Sequence, residues 1–169
     1  LESLDEFLSW ASVVVAGPGI GTGALAQSMI KKIIACVDVP LILDADGLNI
    51  VAEHPEWLKE AKGTVIVTPH LGEMARLIHK DIPFIQNRML ETAKEFAEEY
   101  HVICVLKDAR TVTAMPGGIA WVNASGNNGM ATAGAGDVLT GIIAGLVAQG
   151  MEPQYAASIG VYLHGLAGE

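Results

Sequence analysis

The fold of this chain is constrained most by an alternation of short apolar segments with longer segments whose apolar residues repeat at helical spacing. Four buried strands are predicted, at 12–16, 41–44, 64–68 and 102–107. Helices are predicted at 24–37, where Leu25, Met29, Ile33 and Ile34 recur at helical spacing, and at 84–100. Apolar strands that alternate with helices favour a mainly parallel α/β sheet with helices on both faces.

The last third of the chain departs from this alternation. Segments 111–115 and 119–123 flank a Pro-Gly-Gly turn, which predicts a β-hairpin and an antiparallel addition to the sheet. A glycine-rich loop at 126–136 then leads into a helix of small residues, and a last helix is predicted from about Pro153. The length fits one domain over 1–169 with a hydrophobic core. Both ends are abrupt, so we expect the domain to be truncated at both ends.

Composition disfavours several classes of partner. The formal net charge of −9 leaves no basic patch to replace counterions, which argues against nucleic acids and anionic membranes. No apolar stretch is long enough to cross a membrane. A phosphorylated small molecule is still allowed, because backbone amides, helix N-termini and metal ions hold phosphate within acidic proteins. Cys36 and Cys104 lie in apolar runs and are predicted to be buried free thiols in a reducing compartment, the cytoplasm.

The motif with the strongest chemical signal is NNGMATAGAGD at 127–137, which runs into the small-residue helix. Small residues let the backbone wrap around an anion, and the N–H groups and dipole of the helix favour negative charge there. Asp137 beside such a site could act as a base toward a substrate hydroxyl, helped by a metal ion. It could equally be only a helix cap, and the loop alone does not decide between the two.

Three further motifs lie at predicted strand ends, where open α/β sheets bind their ligands. His70, within TPHLGE, begins a helix and would project over the strand ends, although such a histidine is more often a cap or packing residue. Asp44 and Asp46 could face one metal or one sugar, or could end a strand and cap a helix. KDART at 107–111 could supply charge to a phosphate or stack on a base, although most such turns are merely solvated.

The glycine loop GPGIGTGA at 17–24 admits a rival interpretation. Its last six residues fit the G-x-G-x-x-A fingerprint of dinucleotide-binding folds, with Asp44 ending the next strand. The loop is longer than that tight turn needs, and the fingerprint leaves Asp137 and the second glycine loop unexplained. A Rossmann oxidoreductase is therefore the weaker alternative.

Together these motifs resemble the ADP/ATP-dependent NAD(P)H-hydrate dehydratase family of the ribokinase-like superfamily. The matching stretches are AGPGIG, LILDADGLN, VTPHLGEMARL, VLKDARTV, NNGMATAGAGDVLTGIIAGLVAQG and VYLHGLAG, in the family's order. Related kinases of thiamine and pyridoxal precursors usually have Asn in place of His70, so His70, DADGLN and HGLAG favour the dehydratase. Ala133 and Ala135 replace a glycine and a larger residue of the common loop. Alanine keeps the backbone N–H, so we expect the anion hole to survive.

The resemblance implies a ribokinase-like three-layer sandwich. It also implies an enzyme that uses ADP or ATP, with Mg²⁺, to dehydrate hydrated NADH and NADPH. It implies that Asp137 is the catalytic base and contacts the substrate, and we expect a homo-oligomer. The other implied substrate-binding residues are Gly19, Gly21, Asp46 and His70. The implied nucleotide-binding residues are Lys107, Asp108, Ala109, Arg110, Thr111, Asn128, Ala133, Gly134, Ala135 and Gly136.

Two other functions stay open from the sequence. A small-molecule kinase of the same fold would yield a stable phosphorylated product instead of free phosphate. A non-catalytic binding or assembly module is suggested by the abrupt ends and the altered glycine loop.

Overall fold

The computed structural model describes residues 2–126, 132 and 134–169. Its strands are β1 (Val14–Ala16), β2 (Leu41–Leu43), β3 (Val65–Val67), β4 (Ile103–Leu106), β5 (Val112–Ala114) and β6 (Ala120–Val122). In the described part of the chain these strands form one sheet in sequence order. β1 to β4 pair in parallel, whereas β4, β5 and β6 pair antiparallel. The predicted parallel sheet with a late hairpin is therefore confirmed.

One helix precedes β1, helices fill the connections from β1 to β4, and two helices follow β6. They are α1 (Glu2–Trp10), α2 (Ala24–Cys36), α3 (Asp46–Val51), a 3₁₀ helix (Pro55–Glu60), α4 (Leu71–Ile78), α5 (Ile82–Gln86), α6 (Met89–Tyr100), α7 (Ala135–Ala148) and α8 (Pro153–Ala167). None of the helices among the described residues is both long and apolar enough to span a bilayer.

The central strands bury both of their faces, because successive side chains of a strand point to opposite sides. Leu43 and Val67 face a core layer built with α2 to α6, and Ile42 and Ile66 face a second layer built with α7 and α8. Parallel crossovers are almost always right-handed, so strands added in one direction place their helices on one face. The second face is covered only when α7 and α8 return over it, which produces the three-layer α/β sandwich.

The edge of the sheet at β1 differs from the prediction of a buried strand. Val15 pairs with Ile42 in the register of β1 and β2, yet Val15 is 41% exposed whereas Ile42 is fully buried. The two side chains share one face of the sheet. The helices on that face therefore bury the central strands but leave β1 partly open.

The helix predicted over 24–37 is confirmed as α2. Its buried positions are Ala26, Ile30, Ile33 and Ile34, whereas Leu25 is 69% exposed. The prediction of a buried thiol at its end was wrong. Cys36, the last residue of α2, is an exposed free thiol, whereas Cys104 in β4 is buried and free as predicted.

The single helix predicted at 84–100 is instead two helices, α5 and α6. Asp81 caps α5 by accepting a hydrogen bond from the Phe84 N–H at 2.8 Å, so the first helix begins before the predicted start. Arg88 then leaves the helical region, with φ −141° and ψ 36°, and the chain turns into α6. The continuous amphipathic pattern therefore concealed a bend that reorients the second helix.

Candidate active site

The carboxyl ends of the parallel strands bring the predicted motifs to one edge of the sheet. β2 is followed directly by Asp44 and β4 by Lys107, and β3 ends three residues before His70. A parallel bridge pairs the backbones of His70 and Lys107. α7 begins at the same edge, since the Thr140 hydroxyl of that helix donates a hydrogen bond to Asp44.

Asp44 is the centre of a buried polar network at this edge. Its carboxylate is 2% exposed and accepts hydrogen bonds from Lys107 Nζ at 2.9 Å, Thr140 Oγ1 at 2.8 Å and the Ala45 N–H at 2.9 Å. Burial disfavours the charged form, but the Lys107 ammonium and the hydrogen bonds outweigh it, so the pKa of Asp44 lies below its usual value. The network joins β2, β4 and α7 through one ionised carboxylate.

The start of α7 has the features of an anion site. Gly134 precedes the helix with a φ of 87°, which glycine adopts without strain, and it offers no side chain to cap the first N–H groups. Ala135 and Gly136 form the first turn and line a cavity. The Ala135 N–H donates to the Thr132 carbonyl at 3.2 Å, so the positive end of the helix dipole and the N–H groups that follow Ala135 are what would attract an anion. The helix begins within the predicted loop at 126–136, so Gly136 belongs to the helix itself.

Asp137 is the third residue of α7 and is exposed. It is not the N-cap, since Gly134 occupies that position. Among the described residues none donates a hydrogen bond to its carboxylate. Its interpretation as a helix cap is therefore wrong, and its predicted role as a base stays a prediction.

His70 is both a helix cap and a wall of the cavity. Its Nδ1 accepts hydrogen bonds from the Gly72 N–H at 2.9 Å and the Glu73 N–H at 3.2 Å, and Glu73 Oε2 accepts from the His70 N–H at 2.8 Å. An Nδ1 that accepts requires the neutral imidazole with its proton on Nε2. Burial, followed by the charges of Lys107 and Arg76, lowers the pKa of His70 and favours that form. The side chain is still 55% exposed and lines the cavity.

A cavity of about 710 Å³ lies between β4, α7 and α8. The predicted site residues that line it are His70, Lys107, Asp108, Ala109, Thr111, Ala135 and Gly136. Arg110, Gly134 and Asp137 are neighbours of these residues in sequence but do not line the cavity. Asn128 and Ala133, also predicted to bind the nucleotide, lie outside the described residues. The structure thus brings most of the predicted nucleotide-binding residues into one concave site of ligand size.

Gly19, Gly21 and Asp46 lie outside this cavity. Gly19 and Gly21 have φ values of 69° and 71°, and each has open space where a Cβ would be, so glycine is required by the backbone angle. Asp46 Oδ2 accepts a hydrogen bond from the Gly21 N–H at 2.9 Å. Asp46 therefore anchors the glycine loop. Its predicted contact with the substrate stays a prediction.

The Rossmann interpretation of this loop was wrong. The sheet runs in simple sequence order, without the strand reversal at which Rossmann folds bind a dinucleotide. Asp44, which that interpretation would use to bind a ribose, is buried and paired with Lys107.

Comparison with known proteins agrees with this geometry. Residues 2–169 match the model of the NAD(P)H-hydrate dehydratase family. The chain belongs to this family.

The relatives that this chain matches are longer than the chain. The chain is 46% identical over 169 residues to a bifunctional NAD(P)H-hydrate repair enzyme of Moorella thermoacetica, covering 100% of the chain and 32% of that protein. It is 40% identical over 158 residues to an ADP-dependent (S)-NAD(P)H-hydrate dehydratase of Neisseria meningitidis, covering 92% of the chain and 53% of that protein. The chain thus spans between a third and about half of these relatives.

Solved structures confirm the ribokinase-like fold. The ADP/ATP-dependent NAD(P)H-hydrate dehydratase of Bacillus subtilis, crystallised with ATP and Mg²⁺, superposes with a TM-score of 0.80 at 35% identity, over 91% of this chain and 53% of that one. A hydroxyethylthiazole kinase of Pyrococcus horikoshii superposes with a TM-score of 0.74 at 16% identity, over 95% of this chain and 63% of that one. At that identity the kinase supports only the shared fold.

The cavity of this family member also contains residues to which the sequence analysis assigned no role in a binding site. Val161, His164 and Gly165 of α8 line it together with Ser125. A Cβ on Gly165 would lie 2.1 Å from Ser125 Oγ, so glycine is needed for α8 to approach that segment. The three α8 residues are spaced i, i+3 and i+4. From the sequence, this spacing could have predicted that they share one face of a helix.

The edge of the sheet is compatible with Mg²⁺ that arrives with a nucleotide. Two of its carboxylates already have partners, since Asp44 pairs with Lys107 and Asp46 binds the Gly21 N–H. Within the described ranges, no cluster of three or more His, Cys, Asp or Glu side chains is placed to hold a metal. Mg²⁺ in nucleotide sites typically keeps several waters and binds one or two carboxylates plus phosphates. The exposed carboxylate of Asp137 meets that requirement.

Proposed function

We propose that this chain catalyses the nucleotide-dependent dehydration of hydrated NADH and NADPH, releasing phosphate and AMP or ADP. The observation that carries the proposal is the placement of Asp137. An exposed carboxylate lies in the first turn of a helix that Gly134 leaves uncapped, next to a cavity lined by Lys107. An acid at an anion site needs a chemical reason, and abstraction of a proton is one. The names of the relatives above support the same reaction.

The nucleotide binds in the cavity. The turn from Lys107 to Thr111 borders the adenosine, while the Lys107 ammonium extends from that turn toward the first turn of α7, which receives the phosphates on its N–H groups. Asn128 and Ala133 belong to the same phosphate loop in this proposal. Mg²⁺ carried by the phosphates supplies the charge that neutralises them.

Asp137 acts as the general base. It removes the proton from the hydroxyl of the hydrated nicotinamide ring while that oxygen attacks the terminal phosphoryl group of the nucleotide. The new O–P bond replaces the bond between that phosphorus and the bridging oxygen of the nucleotide, so AMP leaves from ADP, or ADP from ATP, and the phosphate ester on the ring is a good leaving group. Loss of inorganic phosphate and of a proton from the neighbouring ring carbon restores the double bond. The helix N-terminus and Lys107 stabilise the negative charge of the transferred group.

The hydrated substrate binds between the glycine loop and His70. With Nδ1 accepting from two backbone donors, His70 carries its proton on Nε2, which lies 3.4 Å from Glu73 Oε1, and its half-exposed ring borders the substrate in this proposal. Gly19 and Gly21 leave open space in which the substrate can approach the backbone, and Asp46 fixes the shape of that loop.

The test is incubation of the chain with hydrated NADH and either ADP or ATP. We expect NADH absorbance to appear together with one equivalent of inorganic phosphate. A stable phosphorylated product without NADH would instead identify a kinase, and a chain that binds neither nucleotide would contradict the proposal altogether.

A further inference from the structure

The proposed chemistry leaves the most buried carboxylate at the site without a role. Asp44 is 2% exposed, whereas catalytic groups that meet substrate must be reachable. Its partner Lys107 keeps 19% of its side chain exposed and lines the cavity. The pair therefore has a buried acidic end and a basic end that faces the ligand.

The pair lies directly against the anion site. A Cβ added to Gly136 would lie 3.3 Å from Lys107 Nζ and 3.7 Å from Asp44 Oδ2. Thr140, one turn further along α7, donates to the second oxygen of the same carboxylate. The lysine ammonium is thus held beside the first turn of the helix, where the N–H groups would meet a phosphate.

We propose that Asp44 is a positioning residue that holds the Lys107 ammonium at the phosphate end of the nucleotide site. A lysine ammonium is a strongly hydrated point charge on a flexible stem, and without a partner it moves toward water. Asp44 fixes its position through the 2.9 Å contact with Nζ. This inference rests on the proposed nucleotide site but concerns a residue that touches neither nucleotide nor hydrate.

Two effects of Asp44 on an anion oppose each other. Its negative charge repels phosphate, while its contact places a positive charge closer to phosphate. The positioning effect prevails in this proposal, because the ion pair with Lys107 already offsets most of the repulsion between the Asp44 carboxylate and a phosphate. An ammonium released from Asp44 would be screened by water. Removal of Asp44 is therefore expected to weaken phosphate binding.

The first experiment measures the position of Lys107 without any nucleotide. The wild type, Asp44→Asn and Thr140→Val are reductively methylated with formaldehyde and a borane, and the modification rate of each lysine is read by mass spectrometry. Thr140→Val is the matched control, because it removes one hydrogen bond to the same carboxylate but leaves the ion pair. We expect faster labelling of Lys107 in Asp44→Asn alone, with other lysines unchanged.

The second experiment separates phosphate from adenosine recognition. Calorimetry should show ADP binding about tenfold weaker in Asp44→Asn, the size of one charge-assisted hydrogen bond, with adenosine binding unchanged. Thr140→Val should keep ADP affinity within about twofold. In a Lys107→Met background the Asp44→Asn change should have no further effect on ADP, since Asp44 acts through Lys107.

Unchanged Lys107 labelling in Asp44→Asn would overturn the inference, as would equal or tighter ADP binding, or equal losses for ADP and adenosine. A further outcome is that Lys107 is labelled faster in Asp44→Asn but the wild type binds no ADP. This outcome would overturn the proposed function while supporting the positioning of Lys107 by Asp44.

Discussion

Two substitutions of His70 can separate its structural role as a helix cap from its proposed role in binding the substrate. Its Nδ1 accepts two backbone N–H groups at 2.9 and 3.2 Å, so His70→Ala leaves both without their partner. Loss of an N-cap costs about 1 kcal/mol. In a chain of this length that corresponds to a fall in Tm of roughly 2–4 °C. No cavity adds to this cost, because the side chain is 55% exposed.

His70→Asn is the matched variant. Asparagine is among the best N-cap residues, so its side-chain oxygen should replace Nδ1 and keep the Tm near that of the wild type. The imidazole ring that lines the cavity is lost in both variants. We therefore expect both to raise the KM for the hydrate far more than that for ADP or ATP. Thermal melts and steady-state kinetics in each substrate measure the two effects.

The cap should also depend on pH. The pKa of His70 is lowered in the folded chain, so the unfolded chain binds more protons between the folded pKa and about 6.5, the usual value for histidine. The stabilisation by the cap is then complete above about pH 6.5 and is lost as the pH falls through the folded pKa. The difference in unfolding free energy between the wild type and His70→Asn should follow this course, because Asn does not titrate.

Three results would refute this reasoning. They are a wild-type Tm in His70→Ala, a Tm in His70→Asn as low as in His70→Ala, and a pH-independent difference between the wild type and His70→Asn. A lowered Tm with an unchanged KM for the hydrate would show that His70 is only a cap.

Three further substitutions test other parts of the site. Asp137→Asn should abolish NADH formation while nucleotide affinity, measured by calorimetry, stays within a few-fold, because the backbone N–H groups remain; normal turnover would contradict its role as base. Gly136→Val should weaken nucleotide binding in a folded chain, since its side chain would meet Lys107 Nζ at 3.3 Å; wild-type affinity would remove the phosphate site from α7. Gly165→Val should lower the Tm, because a Cβ there meets Ser125 Oγ at 2.1 Å and the Ser125 carbonyl at 2.9 Å; an unchanged melt would show that α8 can shift at no cost.

Periodicity alone was enough for much of the fold. The segments predicted as strands at 41–44, 64–68 and 102–107 contain the buried strands β2, β3 and β4, because a strand with both faces covered must be apolar throughout. The hairpin and α8 followed from equally local signals. Local patterns failed where burial depends on distant neighbours. The exposure of Val15 is set by how far α7 and α8 extend over the sheet. Which apolar positions of α2 are exposed is set by the residues that pack against this helix.

In the candidate site, too, some features follow from the sequence and others only from the tertiary structure. The sequence by itself determined which motifs follow strands and begin helices, and therefore that they meet at one edge of the sheet. Only the tertiary structure decided their partners. Asp44 and Lys107 are 63 positions apart, and Asp44 and Thr140 are 96 apart, so no local pattern pairs them. Such contacts form when the sheet and α7 pack together, and that packing buries Asp44 while it leaves Asp137 exposed.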